Sequence, residues 1–246
     1  MRRRVVIGSL AMLPVLSTLK RVHAHEAGMQ VKVPVQYSSF DEWMQAARES
    51  TLQFLQTAKG REPEYFIRFL ALWGAALPHD LQAWPDAWTA LPGANALLEF
   101  NMLAGGRPFV VSALRMAPGC LLPAHCHPGG GGITLCLDGA LSLEHFQLAQ
   151  EQPHFSNTGS LVEVRLDSVT WLTRDRHTWF TPTASNLHQL RAGPQGAIAL
   201  DLAVQWEGAG EFSFLRFEDE RGAEGARVGQ TLAGKWTGMN IADAYV

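Results

Sequence analysis

Imidazoles at His125 and His127 can aim at one point only if the chain between them is extended. Side chains i and i+2 of a strand leave on the same side, whereas those of a helix diverge. The pair stands in Gly119-Cys120-Leu121-Leu122-Pro123-Ala124-His125-Cys126-His127-Pro128, which runs on through Gly129–Gly132 to Asp138-Gly139. A single His is ordinarily a core or surface residue. A His-x-His pair set between a glycine and a proline, with a glycine run and an Asp-Gly turn behind it, is a candidate metal site. A second stretch, Pro182-Thr183-Ala184-Ser185-Asn186-Leu187-His188, offers a third imidazole, which a closed barrel would bring over from a distant strand. Three neutral imidazoles suit a first-row transition-metal ion.

The rest of the chain supports a mainly β fold carrying a helical N-terminal extension. Ser39 and Glu42 form a capping box, and Phe40, Trp43, Met44, Ala47, Leu52 and Leu55 follow as a helical stripe. Gly60 breaks that stripe, and Pro63 fits the first turn of a second helix, with Tyr65, Phe66, Phe69, Leu70 and Trp73 on its apolar face. Both helices are expected to pack on the outside of a sheet. From about Ala94 the period shifts to two. Strands are expected over Phe109–Met116, Leu161–Asp167, Val169–Leu172, Trp179–Thr181, His188–Ala192, Ala197–Trp206 and Phe212–Phe217. Ile133–Leu137 and Ala140–Phe146 read as a hairpin about Asp138-Gly139. Short strands with regular turns predict a small β-barrel or jelly roll. The organisation is then a leader over 1–24, a helical region over 25–93, the barrel over 94–220 and a Gly-rich tail over 221–246.

The leader rests on charge and apolarity. Arg2-Arg3-Arg4 precede an apolar run from Val5 to Leu16, then Lys20-Arg21 and Val22-His23-Ala24, the layout of an export signal cleaved after Ala24. Its basic start resembles a twin-arginine leader. The apolar run is short of the roughly 20 residues that span a bilayer, so no stable membrane span is expected after cleavage and the mature chain is expected outside the cytoplasm, in the periplasm. The net charge of −3 provides no basic surplus for a nucleic-acid partner. The chain has 3 cysteines, an odd number that leaves at least one thiol outside any intramolecular disulfide. Cys120, Cys126 and Cys136 are read first as packing residues. His145, His154 and His177 lack a partner at ligand spacing and are read as solvated.

At the two histidine stretches the chain resembles the cupins. Gly119, His125-x-His127 and Gly139 are similar to the first cupin motif, and Pro182 to His188 to the second, with one additional residue between Pro and His. Where the general motif carries a glutamate ligand this chain has Gly132. The nearer resemblance, over Phe109 to Phe217, is to thiol dioxygenases of the cysteamine dioxygenase and plant cysteine oxidase type. It is carried by Pro123-Ala124-His125-Cys126-His127-Pro128-Gly129, by Asn186-Leu187-His188 and by Leu200-Asp201. It implies a cupin-type jelly-roll barrel, Fe(II) on His125, His127 and His188, and O2 with a small thiol as substrates. No catalytic residue beyond the metal site is implied. The Pro-Pro-Tyr of that family is absent, replaced by Ala203-Val204-Gln205-Trp206, and Phe212-Ser213-Phe214 stands near its Cys-x-Tyr, so no tyrosine role carries over. A histidine set without the carboxylate leaves the full 2+ charge on the ion, which favours an anionic ligand such as a thiolate. Gly132 is expected to leave an open position for substrate. Asp201 is a candidate to hold a ligating ring through its second nitrogen, or else forms a strand-end salt bridge. Asn186 is a candidate to position His188 from a turn. Isomerase or hydrolase chemistry lacks a convincing acid–base pair.

Overall fold

A computed structural model describes residues 37, 39–57, 60, 62–77, 97–104, 109–149, 159–182, 186–205, 213–219 and 225–238. All of them lie in the unit Val33–Val246. The expected leader, the 78–93 end of the expected helical region and His154 lie outside the described residues.

Two helices come first. α1 (Phe40–Leu55) begins where Ser39 Oγ accepts the Glu42 N–H at 3.2 Å, and it buries Phe40, Trp43, Ala47, Thr51 and Phe54. Leu52 and Leu55, expected on that stripe, are only half-buried. α2 (Pro63–Ala75) starts on Pro63, which has no N–H to leave unsatisfied in a first turn. Trp43 Nε1 donates to the Trp73 carbonyl at 3.0 Å, and Phe54 stacks on Phe69 with ring centroids 4.5 Å apart. These contacts lock the helices to each other. α2 then lies on the sheet so closely that a Cβ on Gly74 would come within 3.0 Å of Ile133 and Leu135. The helices cover the outside of the sheet, as the aromatic stripes imply.

Nine strands follow: β1 (Leu98–Ala104), β2 (Phe109–Met116), β3 (Leu121–Cys126), β4 (Gly130–Leu148), β5 (Leu161–Thr173), β6 (His177–Phe180), β7 (Leu187–Gln205), β8 (Ser213–Phe217) and β9 (Thr231–Gly238). Their order is β1-β2-β7-β3-β8-β9-β5-β4-β6, and β4 pairs β7 as well. The strands β7, β3, β8, β9, β5 and β4 thus close into a six-stranded antiparallel barrel, with β2–β1 and β6 extending it. The fold is mainly β, as expected. One apolar cluster, including Ala124, Cys126, Phe146, Val164, Leu187, Leu215, Leu232 and Trp236, draws on all six barrel strands. A second, including Leu114, Leu122, Cys136, Leu143, Leu190 and Phe214, occupies the opposite face of the β4–β7 ribbon.

Three expectations are corrected. Asp138-Gly139 does not turn a hairpin: β4 runs straight through it, with register shifts against β7 on both sides. Gly139 has φ +70, and a Cβ there would come within 2.2 Å of the Gly196 carbonyl oxygen. Asp138 and Gly139 pair with Ile198 and Ala197 between two irregularities, one extra residue (Leu137) on β4 and Gly193-Pro194-Gln195-Gly196 on β7. The two strands expected over 188–206 are accordingly one, β7, and the two over 161–172 are also one, β5, which shifts register against β4 at His145/Phe146. Finally, residues 231–238 of the expected tail form β9, which joins β8 to β5 and completes the ring.

Candidate metal centre

The site begins with an irregularity in β3. Leu122 pairs with Leu190 and His125 pairs with His188, so between those pairs β3 advances by three residues and β7 by two. One extra residue changes which face the following side chains take. Without it His125 would leave β3 on the face opposite Leu122; with it, His125 shares the face of Leu122, Leu190 and His188. Pro123 sits inside the irregularity, where a residue with no N–H donor costs the ladder nothing. Its carbonyl accepts the Nδ1–H of His125 at 2.8 Å. A carbonyl can only accept, so the bond fixes the tautomer and leaves Nε2 as the ligating nitrogen.

His188 comes from β7, distant in the chain but paired with β3 in the closed barrel, and its ring centroid lies 4.5 Å from that of His125. His127 follows two residues after His125, with centroids 5.1 Å from His125 and 5.3 Å from His188. One ligand atom from each of the three residues lies within 4.8 Å of the others, and this is the metal-competent group found among the described residues. His125 and His188 are buried and His127 is half-buried, with its own Nε2 shielded from solvent. Phe180 stacks on His127 with centroids 4.7 Å apart, and Phe214 lies 5.7 Å from His125. Burial lowers the His125 pKa to about 4, with the Pro123 hydrogen bond pulling weakly the other way. Burial, and then the neighbouring His125, hold His127 well below the ordinary imidazole range. Both rings are therefore neutral at pH 7 with a lone pair to offer. An all-nitrogen, uncharged donor set of this kind fits a divalent first-row ion.

Asn186 does more than shape a turn. Its Oδ1 accepts the His127 N–H at 2.6 Å, and its Nδ2 donates to the carbonyls of His127 at 2.9 Å, Thr181 at 3.0 Å and Gly130 at 3.3 Å. One amide thus ties the His-x-His stretch to the segment entering His188. Asp201 lies elsewhere along β7, paired with Thr134 and Ser112. The Thr134 hydroxyl hydrogen-bonds it, its Oδ1 meets no partner among the described residues, and burial raises its pKa to about 6. The His125 N–H that a carboxylate might have taken is occupied by Pro123. The room expected at Gly132 is also filled, because a Cβ there would come within 2.4 Å of the Leu202 carbonyl oxygen and 2.9 Å of Phe180 Cζ. Gly130–Gly132 are the start of β4, paired with Gln205, Val204 and Ala203.

Sequence reading missed His145. It is 4% exposed, and across the ribbon it pairs with His188. The available signal was its phase, since Leu141, Leu143 and His145 alternate on one face of a strand. His177, read as solvated, is exposed. Cys120, Cys126 and Cys136 are buried and free, consistent with packing.

No protein-family model and no curated protein matches the chain. Among solved structures it is similar to an uncharacterised protein with a double-stranded β-helix domain from Klebsiella pneumoniae, at 18% identity over 52% of this chain and 86% of that one, with a TM-score of 0.38. A cupin superfamily protein from Desulfitobacterium hafniense matches at 16% identity over 50% and 89%, with a TM-score of 0.35. A protein from Silicibacter pomeroyi, described as a sugar phosphate isomerase from a cupin superfamily, matches at 17% over 45% and 60%, with a TM-score of 0.33. At such scores these likenesses say nothing about ligand or activity.

Proposed function

We propose that this chain is an exported, non-haem Fe(II)-dependent oxidoreductase of the thiol dioxygenase kind, acting on a small thiol or an N-terminal cysteine. The observation that carries the reading is a metal-competent group of three histidines with no carboxylate among them. His125, His127 and His188 would hold the ion and leave its 2+ charge unneutralised, which favours a thiolate over a neutral ligand. When bound, Fe(II) supplies a Lewis-acidic, redox-active centre for the thiol and O2. The net reaction is RSH + O2 → RSO2H: sulfur gives up four electrons to the two oxygen atoms, and the sulfinic acid releases its proton at neutral pH. The chain's own part is positional. Pro123 sets the tautomer of His125, Asn186 holds His127 to the second motif, and Phe180 and Phe214 place apolar ring surface beside the donors.

A second reading, a non-catalytic exported protein that binds a metal or small ligand, is favoured by two features. Phe214, without a hydroxyl, stands beside His125, and Phe180 with Leu202 fills the space at Gly132. An oxygen electrode separates the two. Iron-loaded protein given cysteamine, cysteine or an N-terminal Cys peptide should consume one O2 per sulfinate formed. Metal retention without O2 uptake on any of them supports the second reading and rejects the first.

A further inference from the structure

His145 occupies a place in the fold that simple core filling does not explain. Along β4 the residues in phase with it, Leu141 and Leu143, are fully buried and apolar. At 145 the same face carries an imidazole beside His188, with ring centroids 6.1 Å apart and planes at 71°. His145 Nε2 also lies 3.4 Å from Thr178 Oγ1, on β6. Thr178 is in turn the register partner of Thr134, whose hydroxyl hydrogen-bonds Asp201. A polar contact from Thr178 thus reaches the same His145 ring that borders the His188 ring.

The χ2 torsion of a histidine is broad, so a ligating ring needs neighbours to hold its plane. Aromatic rings meeting edge to face at this separation do so favourably. We propose that His145 is a positioning residue: steadied by Thr178, its ring forms a wall that fixes the plane in which His188 offers its nitrogen to an ion. The proposal rests on the triad being the metal site. It differs from a core role in what it demands, because a filler affects stability alone, whereas a wall for a ligand affects the geometry of the bound ion.

The test is anaerobic Co(II) titration of the full chain, reading the dissociation constant and the d–d bands, with circular dichroism to confirm folding. His145→Ala is expected to weaken Co(II) binding by about 10- to 100-fold and to shift the bands, the range typical when a neighbour of a metal ligand is removed. Thr178→Val should weaken binding less, by several-fold, while Thr178→Ser should restore wild-type affinity and bands. A folded His145→Ala protein with affinity within twofold of wild type and unchanged bands overturns the proposal. Should that variant not fold, unchanged affinity and bands in Thr178→Val overturn it instead. If His188→Ala binds Co(II) as wild type does, or wild type binds none, the triad itself falls and His145 with it.

Discussion

His125 and Cys126 are neighbours in β3, both buried, and they face opposite sides of the strand. His125 meets His127, His188 and Phe214, whereas Cys126 packs in the apolar cluster that holds Phe146, Leu187, Leu215 and Trp236. Burial acts on both in one way, by penalising charge. The His125 pKa falls to about 4 and the Cys126 pKa rises to about 12, where the backbone of Ser213 lowers it only in part. The consequences for metal chemistry are opposite. A neutral imidazole keeps its lone pair and binds metals, but a neutral thiol has lost the thiolate that does so. One desolvating environment makes the histidine face the ligand face and the cysteine face inert packing.

The comparison can be broken from the ligand side first. Asn186→Ala removes the amide that satisfies the His127 N–H and three carbonyls, and should cost about 3 kcal/mol of unfolding stability and weaken metal binding together. Denaturant unfolding and a Co(II) titration of the same variant read both. Gly132→Ala pushes a methyl into Leu202 and Phe180, and overpacking there should cost about 2 kcal/mol. The same substitution would cost nothing if Gly132 bordered free space. Cys126→Ser sharpens the contrast from the other face: a hydroxyl in that apolar cluster should cost about 1–2 kcal/mol, while metal affinity stays within twofold of wild type.

The last contrast is a pH dependence. The Asp201 pKa is raised from 3.8 to about 6, so between those values the folded state holds a proton that the unfolded state has released. The stability contributed by Asp201 is therefore full below about pH 4 and is lost as pH rises through 6. Asp201→Asn, which cannot ionise, should be more stable than wild type at pH 8, with the gain fading towards pH 4. Parallel thermal melts at the two pH values check it; a constant difference would show that Asp201 does not titrate in this window.

Much of this was legible locally. Ser39 with Glu42 and Pro63 mark helix starts because caps depend on residues close in sequence. His125-x-His127 marks a shared strand face because alternation is local too. What escaped is register. Asp138-Gly139 signals a positive-φ site, and a hairpin turn and a bulge both use one; only the partner's bend at Gly193–Gly196 decides between them. The extra residue at Pro123 re-aims His125, and the pairing of His145 with His188 recruits a residue 43 positions away in the chain. Neither pairing can be read from one strand alone, although the Leu141-Leu143-His145 alternation does mark His145 as core-facing. Asp201 admits two readings from sequence, a partner for a ligand's second nitrogen or a strand-end salt bridge; its carboxylate hydrogen-bonds Thr134, and the His125 Nδ1–H goes to the Pro123 carbonyl.

The most direct measurement is metal stoichiometry by anaerobic titration of Fe(II) or Co(II) into purified protein, set beside His188→Ala and the exposed-site control His177→Ala. One tightly held ion per chain is expected in wild type and His177→Ala, with affinity reduced more than about 100-fold in His188→Ala, beyond the loss expected for a mere neighbour of a ligand. Equal retention by His188→Ala and wild type would contradict the assignment of the ion to these three imidazoles.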